Sequence, residues 1–107
     1  NKNYQKACIR GLVDTDGGIY FHKHWTKGIR YRNLGLCFTS HSRPLITSVS
    51  KALSTFAIKH SIKQYNIFIY SLDQIKKYFQ IIGFSNPKHP KRLYYHLTNS
   101  KILDKIV

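Results

Sequence analysis

The stretch IRGLVDTDGG, residues 9–18, decides how this chain is read. It carries Asp14 and Asp16, two of only four acidic residues in a 107-residue chain with 18 Lys+Arg and a formal net charge of +14. Half of the carboxylates thus stand two residues apart, directly before a glycine pair. Upstream, YQKACIRGLVDTD (4–16) sets Ala7/Cys8, Leu12 and Val13 near helical spacing, with Ile9 beside them. That spacing predicts a helix ending at Gly17-Gly18. Adjacent glycines stop a helix and permit close backbone approach.

Beyond the glycines, IYFHKHW (19–25) alternates Ile19, Phe21, Lys23 and Trp25 with Tyr20, His22 and His24, which is strand periodicity. A turn at Thr26-Lys27-Gly28 leads into RYRNLGLCFT (30–39). There Leu34, Leu36 and Phe38 share one face, and Tyr31, Asn33, Gly35, Cys37 and Thr39 the other. The pair predicts an antiparallel hairpin with one apolar face and one hydrogen-bonding face. Ser42 as N-cap and Pro44 in the first turn open a helix to Phe56. A shorter hairpin follows over 61–70, turning near Tyr65-Asn66, and then a helix from Leu72 to Ile82 ending at Gly83. Asn86-Pro87 and His89-Pro90 mark a loop. Leu93–Leu97 and Ile102–Val107 read as one interrupted helix or two short ones. The fold class expected is α+β: one domain over 1–107, ordered α-β-β-α-β-β-α with a tail, helices on one face of an antiparallel sheet.

So basic a surface attracts polyanions and repels copies of itself. No apolar run approaches the ~20 residues that span a bilayer. The basic residues are spread along the chain instead of gathered on one amphipathic helix, which favours nucleic acid over a membrane surface. Cys8 and Cys37 lack zinc-finger spacing and read as small buried hydrophobes in an intracellular protein. The absence of any Met points to a chain that is trimmed, processed or excised from a longer one.

Residues Ile9 to Gly17 resemble the LAGLIDADG motif of the homing endonuclease family, and GIYFH, CFTSHSRPL and IIGFSNPKHPKRL resemble its usual continuation. The resemblance covers roughly residues 4–95. It implies a saddle-shaped sheet whose concave face lies in the major groove of double-stranded DNA. It implies a homodimer in which the motif helices pack through small residues; here Cys8, Gly11 and Leu12 would lie at that interface. Arg10 departs from the pattern, which often has Ala there. The last acid of the motif, Asp16, would bind a divalent metal, usually Mg²⁺, at the scissile phosphate, while Asp14 keeps a structural role. Ser40 falls where the family often places a polar residue that positions a water, and Lys88, ahead of Lys91, where it often places a lysine.

If Leu34, Leu36 and Phe38 pack under the helices, the opposite face reads DNA: Tyr20, His22 and His24 on the first strand, Tyr31, Asn33 and Cys37 on the second. In the second hairpin Ile62 is expected to be buried, leaving Ser61 and Lys63 outward. Arg30, Arg32, Lys88, Lys91 and Arg92 are expected to hold phosphates. The function expected is site-specific, metal-dependent cutting of a roughly palindromic duplex. Two alternatives stand: an inactive nucleic-acid-binding module of the same fold (a regulator or an intron maturase), or one half of a two-motif or intein-borne endonuclease.

Overall fold

Helix α1 (Lys2–Asp16) runs into strand β1 (Gly17–Thr26) with no residue between them. This is the first departure from expectation in the computed structural model, which describes residues 2–105. The glycine pair is not a loop but the opening of the strand. Gly17 pairs with Phe38 and Gly18 with Cys37. A Cβ on Gly17 would collide with the carbonyl oxygen of Cys37, so only glycine lets the helix foot enter the ladder at this depth.

Strand β2 (Ile29–Thr39) returns antiparallel through a two-residue turn. Lys27 and Gly28 both have positive φ, 51° and 77°, the combination whose twist suits a tight hairpin. Helix α2 (Arg43–Thr55) follows, its N-cap Ser42 accepting from the amide of Leu45. Strands β3 (Ser61–Lys63) and β4 (Asn66–Ile69) form the second hairpin, and helix α3 (Leu72–Ile81) follows it. That hairpin turns at Gln64-Tyr65, one residue before the expected place, with Gln64 at φ 57°.

The C-terminal segment differs most from expectation. The expected loop around Pro87 and Pro90 is the start of helix α4 (Lys88–Thr98). Pro90 is tolerated because first-turn amides have no helical partner to lose. Residues 102–105 are not helical but form strand β5 (Ile102–Lys105), paired antiparallel with β2. The rest of the expected helix, 106 and 107, lies outside the described residues.

Strand order is β1-β2-β4-β3. Because β1 occupies one edge of β2 along its length, β4 and β5 share the other edge. Ile9 and Val13 of α1, Ile46, Val49 and Leu53 of α2, and Ile75 and Tyr78 of α3 bury against the sheet residues Ile19, Leu34, Leu36, Phe38, Ile67 and Ile69. Each such side chain contributes about 1.5–3 kcal/mol on burial, which fixes strand parity. A one-residue slip would turn this set out to solvent.

Candidate functional site

At the foot of α1 lies an open cleft of about 240 Å³, lined by Asp16, Gly17, Gly18, Tyr20, Lys88, His89 and Arg92 among others. The structure therefore brings together Asp16 and Lys88, residues 72 positions apart. Asp14 holds them in place. Its carboxylate accepts from the amides of Ser85 (2.8 Å) and Asn86 (3.4 Å), tying the α3–α4 connection to α1. The side-chain oxygen of Asn86 then accepts from the Lys88 amide at 3.1 Å, where α4 begins. Arg10 serves the same junction: its Nε donates to the carbonyl of Ile82 at 2.9 Å, where a cation suits the C-terminal end of α3.

The other wall is a clamp on Ile19. As an edge strand, β1 leaves peptide groups unpaired, and α4 takes both of those on Ile19. The amide donates to His89 Nδ1 (3.3 Å), and the carbonyl accepts from Arg92 Nη1 (2.6 Å). His89 is 1 % exposed and sits over Gly18, where any Cβ would strike the ring. Gly18 also has φ 147°, a conformation that L side chains rarely adopt. Burial, with the Lys88 ammonium second, holds the His89 pKa below its ordinary value. With Nδ1 accepting from Ile19, the neutral ring carries its proton on Nε2, which has no hydrogen-bond partner among the described residues.

Asp16 is exposed and is the one carboxylate lining this cleft. No group of three or more His, Cys, Asp or Glu occurs among the described residues. A single exposed carboxylate is a ligand of the kind Mg²⁺ takes, since that ion keeps several waters and binds one or two carboxylates plus substrate phosphate. Ser40 is not among the lining residues. Its hydroxyl accepts from the Ser42 amide (3.1 Å) in the turn entering α2.

The outer face of the sheet carries a chain of rings. Phe68 stacks on Tyr70 (5.3 Å), Tyr70 meets His22 edge-on (6.2 Å), His22 neighbours His24 (6.1 Å), and His24 lies on Tyr31 (5.7 Å). Tyr20 lies over Gly35, which has no side chain to obstruct it, and its hydroxyl pKa is pushed up to about 12, chiefly by burial. Tyr20, His22, His24, Tyr31, Asn33 and Cys37 all lie on this face, as the alternation implied. Ser61 and Lys63 share it, since they pair with Phe68 and Asn66. Phe68 and Tyr70 were missed, although their alternation with Ile67 and Ile69 in NIFIY contains the signal.

Of the arginines expected on phosphates, Arg32 departs from expectation. Arg32 is 5 % exposed, and its parity on β2 is that of Leu34. Its guanidinium lies 4.6 Å from the Tyr95 ring centre and 5.3 Å from that of Phe21, so it cannot hold a phosphate from there. Arg30 shares this parity and rests on Trp25 at 5.9 Å. Arg92 has one nitrogen committed to Ile19. Lys88 and Lys91 are exposed. Ile62 is 51 % exposed instead of buried, although its pairing with Ile67 gives it the core parity.

On α1, Cys8 and Gly11 are exposed and Leu12 partly so, and nothing lies within 4 Å of a Cβ built on Gly11. Cys8 is therefore not a core residue of the protomer, as first read, and Cys37 is only half-buried. Beside this face an apolar groove of about 240 Å³ runs between α1 and α2, lined by Tyr4, Cys8, Leu12, Leu45 and Val49 among others. No helix among the described residues is long and apolar enough to cross a membrane.

Comparison with known proteins agrees with this architecture. A LAGLIDADG-like domain matches residues 3–83. Among solved structures, the chain resembles the LAGLIDADG homing endonuclease I-GzeII in complex with its DNA target, with a TM-score of 0.55 and 12% sequence identity. The likeness covers 83% of this chain and 33% of that one, so this chain spans about a third of its structural relative. No curated protein sequence matches it.

Proposed function

Since the chain belongs to the LAGLIDADG-like domain family, we propose that it is a site-specific, divalent-metal-dependent DNA endonuclease that works as a homodimer. The observation that carries this reading is the shared cleft of Asp16 and Lys88 at the foot of α1. Hydrolysing a phosphodiester requires relief of phosphate charge and an activated water. A carboxylate in a protein of net charge +14 is a scarce group, and Asp16 is placed to hold Mg²⁺ where a DNA phosphate would come. When bound, such an ion neutralises phosphate charge and acidifies water. Lys88 sets its ammonium against the negative charge that builds on the phosphate oxygens. Asp14 and Asn86 fix Lys88 relative to Asp16, and the His89–Arg92 clamp fixes the strand that leaves Asp16.

One such cleft cuts one strand. The bare small-residue face of α1, with Cys8, Gly11 and Leu12, suits a second copy that brings the second cleft. The outer sheet face then lies in the major groove, with Tyr20, His22, His24, Tyr31, Asn33, Cys37, Ser61 and Lys63 toward the bases. Lys91, and Arg92 through the nitrogens not given to Ile19, would contact phosphate beside the cleft. Ser40 stays a contributor only through the turn it closes. A second reading is favoured by one observation: the chain spans a third of an endonuclease chain, so its natural partner is instead a second, non-identical domain of the same kind.

The test is a cleavage selection on a pool of randomised duplexes in Mg²⁺, with a chelator control. The proposal expects a defined set of duplexes cut in both strands, and only when metal is present. A duplex set that is bound but never cut would make the protein a binding module of the same fold.

A further inference from the structure

Side-chain amides, which hold a donor and an acceptor in one plane, are few on the outer sheet face: Asn33 and Asn66 among the described strand residues. Asn66 is consumed locally: its oxygen accepts from Thr39 at 2.5 Å and its nitrogen donates to the Lys63 carbonyl at 3.4 Å. Asn33 is different. Its side-chain nitrogen lies against the His24 ring, 2.7 Å from Nδ1 and 3.4 Å from Nε2, and no other residue among those described bonds its amide. Nδ1 of His24 must then be the acceptor, so one Asn33 hydrogen is spent and the amide plane is set. Asn33 Oδ1 and the second N–H remain available, an acceptor beside a donor. The ring that sets them is itself held, since His24 lies on Tyr31 at 5.7 Å with an interplanar angle of 27°. Asn33 lies opposite His22 in the ladder, midway along the strand pair and on the parity away from the core.

An acceptor beside a donor in one rigid plane complements a single base edge in the major groove. Adenine presents its N6 amine as donor and N7 as acceptor at that spacing, whereas guanine presents two acceptors. We infer that Asn33, oriented by His24, is the residue that specifies an adenine in the DNA site, once in each half-site of a homodimer. The inference rests on the DNA-reading proposal above and adds the base that one side chain selects. Holding the amide before the DNA arrives removes part of the entropic cost of ordering it.

The test is selection of bound duplexes from a randomised pool in Ca²⁺, so that binding is read without cutting, for wild type, Asn33→Ala and His24→Phe. Each variant's thermal unfolding is checked to lie with the wild type. His24→Phe retains a ring for Tyr31 but removes the acceptor. Wild type is expected to enrich adenine at one position by roughly tenfold to a hundredfold over other bases. Asn33→Ala should lose that preference while the remaining positions keep theirs, and His24→Phe should weaken it at the same position. Identical preferences in wild type and Asn33→Ala overturn the assignment, as does a guanine preference at the position that responds. A wild-type protein that enriches no sequence overturns the DNA-reading proposal itself and this inference with it, so the two failures are distinct.

Discussion

Asp14 and Asp16 are separated by one residue and have opposite surroundings. Asp14 is bound by two backbone amides, while Asp16 faces an open cleft with Lys88. Of the two lysines, Lys88 at the start of α4 lines the cleft, and Lys91, three residues on, does not. Lys88→Ala should therefore slow cutting about a hundredfold at saturating protein with nearly unchanged DNA affinity, and Lys91→Ala should weaken affinity and spare the cutting rate. Single-turnover kinetics with a binding titration reads both, and the reverse pattern would assign the cleft to Lys91. Arg32 shows where residue-level reading fails. Its position between Tyr31 and Asn33 makes its core-side parity legible. The charge rule nevertheless sent it outward, because the two rings that accommodate its guanidinium come from β1 and from α4, 63 positions later.

At the scale of elements, α1 through α3 follow from periodicity, caps and turn residues, and the expected bounds fall close to those observed. The second half of α4 was expected as helix over 93–97, but its first turns were hidden by Pro87 and Pro90. Strand β5 is short, exists only by pairing with β2, and has no local pattern that separates it from a helix end. α4 buries two histidines, His89 and His96, and burial is the main cause holding both pKa values below the ordinary one. The unfolded chain therefore binds these protons more readily than the fold. Stability should be fully present above about pH 6.5 and fall as pH drops below it, until the folded-state values are passed. Urea midpoints at a series of pH values should show this slope, and His96→Phe should flatten it. An unchanged slope would mean that the burial of His96 has no energetic consequence.

At the scale of the molecule, the design is asymmetric: helices and an apolar core on one side, a ring-lined face on the other, and a cleft where α1 meets the sheet. The core side was legible because burial imposes parity on β1, β2 and β4. The cleft was legible only through the motif, since its second half arrives from α4. The exposed face of α1 has its own consequence. At Gly11 an added Cβ has open space among the described residues, so Gly11→Leu should be tolerated and, replacing glycine in a helix, gain up to about 1 kcal/mol in folding. It should nonetheless block helix-to-helix approach, so that sedimentation finds wild-type dimers and variant monomers. A variant that still dimerises would place the interface elsewhere.

The central claim is that Asp16 admits the metal that cuts. The most direct measurement compares wild type and Asp16→Asn on a selected duplex, at protein concentrations that saturate both, with the strand-cutting rate followed in Mg²⁺. The account predicts equal occupancy and a loss of cutting to background in the variant. Cutting at the wild-type rate by fully bound Asp16→Asn would contradict it.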